Sequence, residues 1–382
     1  MRFWPMRRRL TPRSKPSDDL VLMGDVLRRN VDDILTVHDH AEKNGVFLFR
    51  GQLATTPARA LAILRERFSR FGYTPYIRTD PGGVIVQAWP GTPTSDRSRP
   101  IVNVVLFVLT LLSVLWAGTG YVGSPTFDAL RLSPSWWRML SGIPFAVTLL
   151  GTLTFHEFGH YFAARYYGVP VSLPYFLPAP LLFLFGTFGA VIRMRGPATN
   201  RNSLFDIAAA GPLAGLIVAL PALVIGIHWS ALAPASVGVM TFGDSLLTRA
   251  LVTLSFGPIP EGMKLYTHPV FDAAWAGLFV TALNLTPVGQ LDGGRIVYAV
   301  FGRAHRTIGI TAFVGLLALS ALTWSPNWVV WALFVMTFVG FQHGAPLDDV
   351  TPLTRGRRIV GIACLVLLVL ILPPIPIPLS IS

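Results

Sequence analysis

The chain has 382 residues, 52% hydrophobic and only 13% charged, which is too little charge for a soluble surface and excludes an intrinsically disordered chain. Its net charge of +12 comes largely from short basic clusters bordering apolar runs, where anionic headgroups and membrane orientation explain them better than nucleic acid does. The single cysteine, Cys364, lies in the last apolar run, so neither a disulfide framework nor a cysteine-based zinc site can be built.

Residues 1–19 carry Arg2, Arg7, Arg8, Arg9, Arg13 and Lys15 with no apolar stretch close behind, and read as a basic tail on the cytosolic side. Residues 20–90 have an ordinary composition and read as a small soluble α/β domain. Its expected elements are a helix in the charged segment 25–43, a strand at 46–49, a helix over 57–71, and strands at 73–78 and 84–89. Pro57 suits a helix first turn, Gly72 a helix end, and Asp80-Pro81-Gly82-Gly83 a tight connection between the last two strands. His38 and His40 stand two apart on the charged segment, diverge on a helix, and read as solvated surface. Residues 91–100, with Gly91, Pro93 and Pro100, form a linker.

From there the chain becomes membrane-like. No Asp, Glu, Lys or Arg occurs in 101–127, 139–155, 207–243, 273–291, 307–347 or 359–382, and runs of that length belong in hydrocarbon. Seven spans are expected, at about 101–121, 139–166, 207–229, 269–291, 307–323, 328–341 and 359–372. Prolines 170, 174, 178 and 180 forbid one continuous helix between 169 and 193, so a re-entrant loop or β-hairpin belongs there. Trp136, Trp137, Trp324, Trp328 and Trp331 fall near the proposed borders as an aromatic belt. With the amino terminus cytosolic, nine Arg residues (193, 195, 201, 295, 303, 306, 355, 357, 358) lie in inside connections. Only Arg131, Arg138, Arg249 and Lys264 lie outside, which favours this orientation. The fold class is therefore an α-helical polytopic membrane protein with a small N-terminal α/β domain.

An ionisable side chain in hydrocarbon costs several kcal/mol and is a functional candidate by default. His156 and His160 interrupt the second span four residues apart and so project from one helix face within reach of one metal ion. Glu157, beside them, is placed to accept a proton from a water attacking a carbonyl, which is the metalloprotease pattern. The plainer alternative is a buried polar network without metal. A catalytic zinc needs one further protein ligand. Asp292, the only acid between Asp272 and Asp348, is the first choice. His268, His305 and His343 at span ends are alternatives, and a helix-end carboxylate at the lipid interface is the bland reading of Asp292 itself. Pro287 would break the preceding helix, while Gly293 and Gly294 permit close backbone approach. Asn284, two helical turns before Asp292, offers a donor toward an oxyanion or substrate backbone, or merely an interhelical hydrogen bond. Asp206 reads as a carboxylate at a helix start, complementing the dipole.

A His-Glu-x-x-His helix (156–160) followed far downstream by Asn284-x-x-Pro287-x-x-x-Leu291-Asp292-Gly293-Gly294 resembles the site-2 protease family of intramembrane zinc metalloproteases. The likeness covers about 143–295, including Gly211-Pro212-Leu213-Ala214-Gly215. Phe49-Arg50-Gly51 in the soluble part and the wording of 154–162, Thr-Phe-His-Glu-Phe-Gly-His-Tyr-Phe, resemble the plastid and cyanobacterial-type branch. The resemblance implies one zinc ion held by His156, His160 and Asp292, Glu157 as catalytic base, and Asn284 assisting at the substrate. It also implies a substrate that is a membrane protein with a transmembrane segment, cleaved by regulated intramembrane proteolysis in a lipid bilayer, here expected to be a bacterial inner membrane. No nucleic acid is expected, and what the soluble domain binds is not legible. A metal-ion or small-solute transporter is the alternative function, because broken helices and midplane ionisable residues suit transport too. A helical substrate must unwind to be cut, and 185–192 is expected to offer a strand edge that pairs with it.

Overall fold

A computed structural model describes residues 18–92, 100–121, 136–180, 184–234, 242–341 and 344–377. The expected basic tail up to residue 17, linker residues 93–99, Arg131 and His343 lie outside the described residues. The chain divides into two compact units, one made of residues 1–92 with 347–351 and the other of 93–346 with 352–382.

The first unit contains α1 (Asp18–Arg29), β1 (Leu35–Lys43), β2 (Val46–Leu53), α2 (Pro57–Ser69), β3 (Tyr73–Asp80) and β4 (Gly83–Pro90). The strands form an antiparallel sheet in the order β1-β2-β4-β3. Leu27, Leu35, Phe49, Leu64, Phe68 and Ile77 make its core, and each fully buried side chain stabilises by roughly 1.5–3 kcal/mol. Residues 25–43 are not one helix as expected. Asn44 and Gly45 take positive φ of 56° and 76°, the turn that joins two twisted strands through two residues. It folds 35–43 back on β2, pairing Lys43 with Val46 and Leu35 with Leu53. His38 and His40 are exposed, but on a strand whose register shifts between Val37 and Asp39. Residues 347–351, read from sequence as part of the membrane region, belong to this unit: Ile77 forms a parallel bridge with Asp348, and Leu347 is buried in the core.

The second unit is mostly helical: α3 (Pro100–Gly118), α4 (Ile143–Tyr166), α5 (Arg201–His228), α6 (Leu246–Phe256), α7 (Pro269–Leu285), α8 (Asp292–Phe301), α9 (His305–Thr323), α10 (Asn327–Phe334) and α11 (Arg355–Ile371). Among the described residues four helical stretches are long and apolar enough to cross a membrane: Pro100–Gly118, Met139–Tyr166, Arg201–His228 and Asp292–Thr323. Shorter apolar helices are Leu246–Phe256, Pro269–Leu285 and Asn327–Val339. Ile101, Val147, Ile217 and Leu254 are exposed, an arrangement that water penalises and hydrocarbon does not.

α7 is buried along nearly its whole length, so it is apolar on every side. Close backbone approach seats it. A β-carbon on Gly226 of α5 would meet the Phe271 nitrogen at 2.3 Å, and one on Gly277 of α7 would meet Thr152 of α4 at 2.7 Å.

Several expected boundaries move for identifiable reasons. α5 begins at Arg201 because Asn200 and Ser203 form a reciprocal cap, with bonds of 2.9 and 3.0 Å. Asp206 therefore lies inside the helix rather than at its start. It accepts two bonds from Arg357, 2.8 and 2.7 Å, and one from the Tyr167 hydroxyl. The expected span 269–291 stops at Leu285, since Thr286 before Pro287 leaves helical geometry. Trp328 is not a belt residue: it is buried, and its indole N–H donates to the Pro374 carbonyl at 2.8 Å.

The proline-rich stretch folds as a hairpin of β5 (Tyr175–Pro178) and β6 (Thr187–Val191), with Tyr175 opposite Val191 and Phe176 opposite Ala190. Polar side chains of α3 brace it. The Asn103 amide donates to the Leu173 and Pro174 carbonyls at 3.1 and 2.7 Å, and the Ser113 hydroxyl donates to the Gly186 carbonyl at 2.6 Å.

Candidate active site

Three discontinuous pieces of chain build the site. α4 supplies His156, Glu157 and His160 from its buried middle. α7 supplies Asn284 in its last turn, and α8 opens with Asp292, whose carboxylate suits the positive end of a helix. Asp292 thus starts a helix rather than ending one. Between the two helices the chain turns through residues 286–291, with Val288 N–H donating to the Thr286 carbonyl at 2.7 Å and Gly289 at φ +52°.

His156 Nε2 and His160 Nε2 are 3.2 Å apart, and Asp292 Oδ2 lies 3.4 Å from the first and 3.1 Å from the second. His160 Nδ1 is 2.6 Å from the Ile207 carbonyl oxygen. A carbonyl only accepts, so Nδ1 carries a proton, and the neutral tautomer that a metal ion requires has its lone pair at Nε2. Ligands held 2.0–2.1 Å from one tetrahedral ion stand roughly 3.3–3.4 Å apart, and the three observed separations, 3.1, 3.2 and 3.4 Å, lie within about 0.2 Å of that spacing. Two imidazoles and a carboxylate are also the donor set a zinc ion takes while keeping a position open. Among the described residues this is the one His, Cys, Asp and Glu group of at least three able to hold a metal ion.

Glu157 is buried beside the cluster, with the backbone of Ile192, the residue after β6, hydrogen-bonded to its carboxyl. Asn284 is half-buried, its amide nitrogen 3.5 Å from His156 Nε2. Two of the other candidate ligands go elsewhere. His268 caps α7, accepting from the Val270 N–H, and His305 Nδ1 meets the Gly302 carbonyl at 3.1 Å.

Sequence reasoning passed over the Ile207 carbonyl, which carries no side-chain signature, and the pairing of α5 with α4. Gly211 lies against His160 and Gly215 against His156, so two antiparallel helices match glycine to histidine at the same spacing of four. That matched spacing was the available signal.

A buried two-histidine, one-carboxylate cluster with a neighbouring glutamate, set among apolar helices, is a candidate metal centre with the donor set and adjacent acid that metallopeptidases use. Residues 144–322 match the model of peptidase family M50. The chain is similar to plant chloroplast proteins. It is 30% identical over 378 residues to the rice (Oryza sativa subsp. indica) protein named probable zinc metalloprotease EGY2, covering 93% of this chain and 66% of that one. With the Arabidopsis thaliana protein named probable zinc metalloprotease EGY1 the identity is 36% over 242 residues, covering 61% and 43%. With the Arabidopsis EGY2 protein it is 30% over 380 residues, covering 92% and 65%. The chain thus spans about two thirds or less of the length of these relatives. The resemblance to the site-2 protease family and its plastid-type branch is borne out.

Proposed function

We propose that the protein is an intramembrane zinc metalloprotease that hydrolyses peptide bonds in or near transmembrane segments of other membrane proteins. The observation that carries this reading is the convergence of His156, His160 and Asp292 beside Glu157 on buried apolar helices. Zinc, when bound by those three side chains, supplies Lewis acidity toward the scissile carbonyl. Glu157 takes the proton from the attacking water and returns it to the leaving amine. The Ile207 carbonyl fixes the His160 tautomer. Asn284 assists at the oxyanion or the substrate backbone. The outer edge of β6 presents backbone groups with which an unwound substrate pairs, and α3 holds that hairpin in place through Asn103 and Ser113.

In the same proposal the chain crosses the bilayer about seven times, through α3, α4, α5, α7, α9, α10 and α11, with its amino terminus cytosolic. The nine-to-four distribution of basic residues supports the orientation. The bilayer in this proposal is a bacterial cell membrane, a reading that rests on the resemblance of 154–162 to the plastid and cyanobacterial-type branch. Glu157→Gln tests the activity: cleavage of a transmembrane reporter is expected to fall at least about 100-fold while metal content stays unchanged. Retained cleavage would overturn the proposal, and metal flux without cleavage would favour a transporter.

A further inference from the structure

The two edges of the front sheet are protected differently. β1 carries Asp39, His40, Glu42 and Lys43 and is broken by a register shift after Val37, the devices that keep an exposed strand from pairing. β3 is covered by the chain itself. Ile77 N–H donates to the Leu347 carbonyl at 2.7 Å, and Asp349 N–H donates to the Ile77 carbonyl at 2.9 Å.

The covering segment has the parts of a peptide ligand. Leu347 is an apolar anchor, 3% exposed, inserted into the core that contains Ile77, Leu64 and Phe68, and Val350 packs against the same cluster. Asp348, also buried, folds the segment on itself. Its carboxylate accepts from the Val350 and Thr351 N–H groups at 2.9 and 3.0 Å and from the Thr351 hydroxyl at 2.5 Å. Backbone bonds to an edge strand, with side chains in adjoining pockets, are how extended peptides are recognised. The contact is also separable from the sheet. β3 pairs with β4 along all eight of its residues, whereas the segment bridges it at Ile77 alone. Its flanking residues, Pro346 and Pro352, belong to the other unit.

We propose that β3 is a peptide-accepting edge, closed in cis by Leu347–Thr351, and that its ligand is an extended segment with the pattern apolar-Asp-x-apolar-Thr. Withdrawing this segment opens the edge to the same pattern presented by another chain. The inference stands apart from the proteolytic reading.

The test uses the full-length protein in detergent micelles, hydrogen exchange, and a fluorescent peptide of the sequence of residues 345–351. Leu347→Asp removes the anchor. Exchange is expected to rise at least tenfold around Ile77 and Asp349 and to stay unchanged around Phe49 and Val86, and the peptide is expected to bind the variant but not the parent protein. A folded variant that fails to bind the peptide, or equal binding by the parent, overturns the proposal. Should Leu347→Asp unfold the front unit, Asp348→Ala decides. Local deprotection with gained peptide binding supports the proposal, whereas loss of protection across the whole sheet in this variant too makes the segment an integral strand and overturns it.

Discussion

Gly211 of α5 lies directly against the imidazole of His160: a β-carbon there would stand 2.1 Å from Nε2 and 2.4 Å from both Cδ2 and Cε1. In an ordinary helix interior Gly→Ala gains about 1 kcal/mol. Here the clash dominates, because the ring is pinned at 2.6 Å to the Ile207 carbonyl and cannot retreat without losing that bond. Gly211→Ala is expected to weaken metal binding on the order of 10–100-fold at unchanged helix content. Competition with a chromogenic chelator measures it, and unaltered affinity would show that the ring has room to move.

Asn284 stands near the cluster at a distance too long for a strong bond, 3.5 Å from His156 Nε2. Asn284→Ala is therefore expected to retain the metal and to lower kcat by roughly 10²–10³. If metal and cleavage disappear together, the residue orients His156 instead of serving the substrate.

Thr187 sits where β6 begins, its hydroxyl donating to the Leu177 carbonyl at 2.8 Å and accepting from the Gly189 N–H at 3.0 Å. Thr187→Pro removes a backbone donor from the hairpin. Cleavage is expected to be impaired with metal content intact, and Asn103→Ala, which releases two carbonyls at the base of β5, to act in the same direction more weakly. Proteolysis at the parental rate in Thr187→Pro would defeat the edge-pairing reading.

Arg67 grips Asp33 with bonds of 2.5 and 2.8 Å, and the bonded guanidinium holds the Asp33 carboxyl below the usual carboxylate range. With the folded value lowered, the stabilisation is present above the unfolded value of about 3.9 and is lost as pH falls through the folded value. The Asp33 side chain is 58% exposed, so solvent screens the pair and the effect is small. The Tm of Asp33→Asn, compared with the parent from pH 7 down to about pH 3, is expected to converge with it in acid. A gap independent of pH would assign the difference to packing.

What was legible follows from physics that acts locally. Metal ligation demands fixed spacing, so His156 and His160 stood out, and Asp292 stood out because acids are scarce in apolar sequence. Pro287 likewise announced the end of α7. The misread helix at 25–43 shows the converse. β1 is an edge strand whose charges face solvent, so it lacks the alternation of a half-buried strand, and the Asn44-Gly45 turn was the signal available. The docking of Leu347 on β3 left no local trace, since neither partner's sequence names the other. The Ile207 carbonyl was invisible for a different reason, being backbone.

The reversal from α7 into α8 is tight enough that a β-carbon on Gly293 would lie 1.8 Å from the Leu285 carbonyl oxygen. With so little room in that turn, adding or deleting one residue between Pro287 and Leu291 would force the turn to re-form and carry the Asp292 carboxylate away from both imidazoles while leaving every helix intact. The count of residues in that turn, more than their identity, sets the relative placement of two rods, and it is the quantity that loop grafting or recombination among relatives must preserve.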